Sequence, residues 1–179
     1  MEITTLELKF LMRLLAQANY HAPLSQISLN AKTSAAQRET VCRQLGHKGL
    51  VAYTEVISRF GLTPGGRLLL NLDNRNLLVT PDELLTLKSA ATGHLSPATI
   101  HPKVPAQSRQ RLIQTLASRK LVKISQKQIK DVWLTPQGQH FLRFQYSPQG
   151  HDPALTLTML GDYLKFMRQP ATPDSLNSK

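Results

Sequence analysis

The chain has 179 residues, with 22 Lys and Arg against 11 Asp and Glu, a formal net charge of +11. That excess points to a polyanionic partner. No apolar run approaches the roughly 18 residues of a membrane span, which excludes a helical integral membrane protein. The single cysteine, Cys42, excludes an internal disulfide and fits a reducing compartment. The opening residues Met1–Thr5 lack a basic stretch followed by an apolar one, so no signal peptide and a cytoplasmic, nucleoid-associated location are expected.

Thr4-Thr5-Leu6-Glu7 has the Thr-x-x-Glu spacing of a capping box, in which hydroxyl and carboxylate satisfy each other's backbone N–H groups. A first helix is expected to follow to about Ala18, with Leu8, Leu11 and Leu14 or Leu15 on one face. Leu24, Ile27 and Leu29 mark a short second helix or turn. A third helix, Ala35 to Lys48, buries Val41 and Leu45 and turns Ala36, Glu39, Arg43 and His47 outward. Ala52 to Gly61 is rich in β-branched and aromatic residues and reads as a β-hairpin, followed by Leu62-Thr63-Pro64-Gly65-Gly66 at a new helix start.

The same order then returns. Thr80-Pro81-Asp82-Glu83 repeats the capping box, now with proline at the first helical position, and Leu84, Leu87 and Ala90 supply the apolar face. Leu95, Ala98 and Ile100 match the short second element, with Ile100 to Val104 an extended turn because Pro102 and Pro105 disfavour helix. The second copy's third helix starts at Ala106, buries Leu112 and Leu116, and presents Gln107, Gln110, Gln114 and Ser118, with Arg111 on the flank. A second hairpin, Lys123 to Trp133, precedes Leu134-Thr135-Pro136-Gln137-Gly138. The copies are offset by 76 residues at the capping boxes, 71 at the third helices and 72 at the Leu-Thr-Pro signatures. The length differences fall in loops, as expected for two copies of one fold.

Asn71 to Val79 is expected to be a short polar connection, and Ser147-Pro148-Gln149-Gly150 a turn closing the second copy. A last helix is expected from Asp152-Pro153, with Leu157, Leu160, Leu164 and Met167 on its apolar face; the tail beyond Gln169 is expected to be disordered. The domain plan is therefore 1–76, 77–147, a C-terminal helix over 148–169 and a tail over 170–179. The fold class is α+β, mainly α with small β-hairpin wings.

A helix ending Leu-x4-Leu-Val (Leu45 to Val51, Leu116 to Val122), then a two-stranded wing, then Leu-Thr-Pro-x-Gly, resembles the winged helix-turn-helix of MarR-like transcription regulators. The two copies cover about residues 3 to 146. The resemblance implies two tandem winged-helix domains that bind double-stranded DNA, with the third helix in the major groove and the wing on the backbone. By position, Gln107, Gln110 and Arg111 inherit base reading in the second copy, and Ala36, Glu39 and Thr40 in the first.

Residues 80–150 carry ten basic and three acidic groups, against nine and five in residues 1–79, so the second copy is expected to make most of the contact. Gln107, Gln110, Arg111 and Gln114 are expected to face the groove, since glutamine pairs with adenine and arginine with guanine. Lys123, Lys127 and Lys130 on the wing are expected at phosphates, together with Arg38, Arg43, Arg109, Arg119 and Lys120. The alternative is a protein-interaction adaptor in a complex of RNA polymerase or a replication factor, supported by the acidic Glu39 and by an apolar last helix that also offers a homodimer contact. Structured RNA is a third, weaker partner class.

No enzyme is expected, since there is no phosphate-binding glycine loop, nucleophile elbow or spaced carboxylate pair. His21, His47, His94, His101, His140 and His151 are scattered, so neither a metal nor any other cofactor is expected. Cys42 reads as a small packed residue, and Trp133 as a ring packed under the wing.

Overall fold

In the computed structural model, which describes residues 2–30, 32–72, 78–147 and 155–170, the chain is a mixed α+β protein. Those residues form seven α-helices and one three-stranded antiparallel sheet. The chain packs as two compact units that do not follow the two sequence copies. One comprises Met1–Thr54 with Ile129–Lys179, the other the continuous segment Glu55–Gln128.

In the first unit, α1 (Thr5–Leu15) starts at the expected capping box. Glu7 N–H donates to Thr4 Oγ1 at 3.3 Å and Thr4 N–H donates to Glu7 Oε2 at 2.8 Å. Phe10, Leu11, Met12 and Leu14 on this helix are fully buried. The chain continues through β1 (His21–Pro23) and a 3-10 turn at Leu24–Gln26 to α2 (Ala35–His47), capped by Ser34 and burying Val41, Cys42 and Leu45. Helix α6 (Pro136–His140) runs on into a π-helical turn, Phe141–Gln145.

The C-terminal α7 (Leu157–Arg168) packs against α1, but with a different face from the one its leucines suggest. Met159, Tyr163 and Phe166 are buried, whereas Leu157, Leu164 and Met167 are exposed. The aromatics make the better anchors. Tyr163 donates its hydroxyl proton to the Leu142 carbonyl at 2.9 Å, and Phe166 lies edge-on to Tyr20 and beneath the Arg143 guanidinium. Rings bury more area than leucine and here also satisfy polar groups.

The second unit contains α3 (Pro64–Asn71), α4 (Pro81–Ser89) and α5 (Ala106–Ser118). The capping box recurs at Thr80 and Glu83. Leu87, Ile100, Val104, Ile113 and Leu116 form the centre of its core. Ile113 is fully buried and Leu112 only half-buried, a small rotation of α5 from the expected face.

The two expected hairpin wings are absent. Val51–Leu62 is a single strand, β2, and Val122–Leu134 a single strand, β3. They pair with each other, in the strand order β1-β3-β2. The physical reason is visible in the residues. Neither Ala52 to Gly61 nor Lys123 to Trp133 holds a Gly, Pro, Asn or Asp at its middle, the residues that favour the chain reversal of a hairpin. Each unit therefore contains one stretch of each strand. In the first unit, β1 completes the sheet by pairing antiparallel with β3, His21 opposite Trp133 and Ala22 opposite Val132. In the second, Leu95 makes an isolated antiparallel bridge to Phe60.

The Leu-Thr-Pro signatures are exchanged in the same way. The Thr63 hydroxyl donates to the carbonyls of Lys120 (2.7 Å) and Leu121 (3.0 Å), at the end of the other copy's helix. The Thr135 hydroxyl reciprocates with Gly49 (2.6 Å) and Leu50 (3.0 Å). Each threonine also caps its own following helix, α3 or α6. The expected turn over 147–150 falls mostly outside the described residues, as do His151, the helix start at Asp152–Pro153 and the tail over 171–179; the connection over 71–79 is described only at its ends.

Candidate nucleic-acid interface

Helix α5 carries no acidic residue, and its polar positions divide into two sets. Gln107, Arg111 and Gln114 are exposed, and all three side chains are without a hydrogen-bond or ion-pair partner among the described residues. At positions i, i+4 and i+7 of a helix with 3.6 residues per turn, they line one stripe. Gln110, expected beside them, is turned inward. Its Oε1 accepts the Ile57 N–H at 2.9 Å and its Nε2 donates to the Ile57 carbonyl at 2.9 Å. The amide acts as an additional strand residue on β2, closing polar groups that a strand edge would otherwise leave open.

Several expected phosphate contacts are likewise engaged by the fold. Arg109 donates to the carbonyls of Val104, Pro97 and Ala98 at 2.9 to 3.1 Å. Its counterpart Arg38 reaches the carbonyls of Ser25 (3.2 Å) and Ile27 (3.5 Å). In both copies this arginine ties the first turns of the third helix to the segment before it. Arg119 pairs with the buried Glu83 at 3.1 Å and donates to the Leu78 carbonyl at 2.6 Å. Arg43 pairs with Glu39 at 2.7 Å and lies over the Tyr53 ring. The outward face of α2 is thus internally neutralised, with Ala36, Thr40 and His47 its exposed members.

Lys120, Lys123 and Lys127 remain exposed in the second unit. Lys127 has only a loose pairing to Glu55, at 3.8 Å with half of its side chain exposed. Lys130 belongs to the first unit and stands 3.9 Å from Asp131. Lys120 has φ of 58°, in the left-handed region, at the position where the other copy has Gly49 with φ of 73°. A lysine there costs about 1 kcal/mol relative to glycine.

The exchange of strands also brings further cations into the second unit. Arg59 and Arg67 are exposed and belong to the second unit. The segment Glu55–Gln128 has eleven basic and four acidic residues, against eleven and seven in the rest of the chain. No local pattern in the sequence signals this, because the relocation arises from long-range pairing.

Among the described residues, no three His, Cys, Asp or Glu side chains gather as a metal site, and no helix is long and apolar enough to cross a membrane. His94 Nδ1 lies 3.2 Å from Ser125 Oγ, and His140 stacks at an angle on Phe144. Trp133 is half-buried on β3, its ring 6.0 Å from that of His21. Cys42 is fully buried, and burial pushes its thiol up to about 12. No family model, curated protein or solved structure matches the chain.

Proposed function

We propose that this chain is a DNA-binding transcription regulator made of two winged-helix-like units, whose wings are formed by β2 pairing with β3 rather than by a separate hairpin in each copy, with the segment Glu55–Gln128 carrying the contact to double-stranded DNA. One observation carries the reading: α5 holds an exposed Gln107–Arg111–Gln114 stripe without partners among the described residues and with no acidic residue on the helix, in the more basic of the two units. Polar side chains on a helix of this width suit the major groove, and Lys120, Lys123 and Lys127 suit the flanking phosphates. The order helix, short strand, helix and the ends of two longer strands, residues 51–54 and 129–134, in the first unit supports a winged-helix reading.

Fluorescence anisotropy with random duplex DNA across a salt series tests it. Binding should be micromolar or tighter at low salt and weaken with a slope reporting several phosphate contacts. Lys127→Ala should weaken all duplexes alike and reduce that slope by about one. No duplex binding at low salt would overturn the proposal. Such a result would favour the second reading, a protein-interaction adaptor, for which the neutralised α2 face and the exposed Leu157, Leu164 and Met167 of α7 speak. A homodimer contact through α7 belongs to that same reading.

A further inference from the structure

Resting on the DNA-binding reading, we infer that the α5 stripe selects a purine-rich strand in which a guanine lies between adenines. The inference comes from which side chains the fold leaves free. Four candidates for base reading stand on α5, and the pairing of Gln110 with Ile57 removes one. What remains is an arginine between two glutamines: Gln107, Arg111, Gln114. On a helix these three fall within about 60° of arc and span about 10 Å of axis. That length matches about three base-pair steps of 3.4 Å.

Their chemistry is restrictive. The arginine fork matches the O6 and N7 acceptors of guanine, and the glutamine amide matches the N7 acceptor and N6 donor of adenine. Both are purine edges in the major groove. With no carboxylate on α5, the side chain best matched to the cytosine amino group is missing from the helix. The second copy's equivalent of Glu39 is Gln110, so the position that would introduce a different preference is the one held inward.

The test is selection of the full chain against a randomised duplex library, followed by affinity measurement on the enriched site and on random duplex. The expected site holds a guanine with adenines on either side within about three steps on one strand. Arg111→Ala should lose about tenfold or more of the preference at the guanine, and Arg111→Lys, which can still reach O6 and N7 without the rigid fork, a smaller part of it. The lysine variant should keep its affinity for random duplex, since it retains the charge and lacks only the fork. Gln107→Ala and Gln114→Ala should each relax one adenine position and leave the guanine preference intact. An unselective protein that still binds random duplex would overturn the inference and leave the proposed function standing. So would an A·T preference that the three substitutions leave unchanged. Loss of binding to every duplex would overturn both.

Discussion

The Lys48 ammonium lies 2.7 Å from the carboxylate of Glu7, which is 1% exposed, and the same pair recurs as Arg119 and Glu83 at 3.1 Å. In each copy the capping-box glutamate that starts the first helix is locked to the cation that follows the third. Burial alone would raise the Glu7 carboxyl, but hydrogen bonds from Lys48 and Thr4 outweigh it and hold the group below its ordinary 4.5. Lys48→Met would leave that carboxylate without its cation, held only by Thr4, and should destabilise the protein by about 2 to 3 kcal/mol, less than for a fully buried pair because Lys48 is 30% exposed. Lys48→Arg, which imitates the second copy, should be near neutral. Urea denaturation of the three proteins checks this. Because the folded value is depressed, the stabilisation from Glu7 is complete above about pH 4.5 and is lost as the pH falls through the folded value. Glu7→Gln should therefore flatten the acid limb of a melting-temperature profile.

The glycine of each Leu-Thr-Pro-x-Gly signature exists for a close approach. A Cβ on Gly138 would stand 2.1 Å from the Leu50 carbonyl oxygen, and one on Gly66 2.1 Å from that of Leu121. Those obstacles are backbone, so the helix start itself must move. Gly138→Ala and Gly66→Ala are each expected to cost about 3 kcal/mol or to prevent folding of the affected unit. Gly161→Ala on α7, where a Cβ meets nothing, is the control and should be neutral or slightly stabilising. Thermal melts followed by circular dichroism decide; equal effects at all three positions would sink the account.

Much of this architecture was legible locally. The capping boxes at Thr4 and Thr80 obey hydroxyl–carboxylate spacing that depends on neighbours three residues away. Val41 and Leu45 follow helical periodicity and are buried as expected. What the sequence could not show is partnership. Nothing in Ala52 to Gly61 says that its partner lies some 70 residues onward, and the repeat itself encouraged closing each copy on itself. The inward turn of Gln110 has the same origin, because Ile57 reaches α5 only through the exchanged strand. The α7 face was misjudged for another reason. Leucine spacing marks an apolar stripe, but Tyr163 and Phe166 on the adjacent stripe bury more surface.

The exchange makes a sharp prediction about fragments. Residues 77–147, cut at the sequence repeat, lack the strand Glu55–Leu62 that completes the second unit. That fragment should remain largely unfolded, with Ile113 and Leu116 unable to bury against Ile57 and Phe60. Residues 55–128 contain every segment of the unit in one continuous piece and should fold cooperatively. Dispersed amide resonances for 55–128 and collapsed ones for 77–147 are the expected outcome. The reverse pattern would show that the copies close on themselves.

Cys42 is fully buried on α2, and burial, only partly countered by Arg43, raises its thiol from an ordinary 9.0 to about 12. The nucleophile is the thiolate, so at pH 8 the buried thiol stays almost wholly protonated even if a reagent could enter. Labelling by a maleimide should thus be negligible over hours in the native protein and complete within minutes in denaturing urea, as read by mass spectrometry. The raised value also has a stability consequence. The protonated thiol's contribution is complete below about pH 9 and is lost as the pH climbs toward 12. Cys42→Ala should lower stability by about 1 kcal/mol at neutral pH through the small cavity it leaves, yet weaken the alkaline decline. Rapid labelling of the native protein at pH 8 would instead mean that α2 opens readily, and that Cys42 is available for redox chemistry.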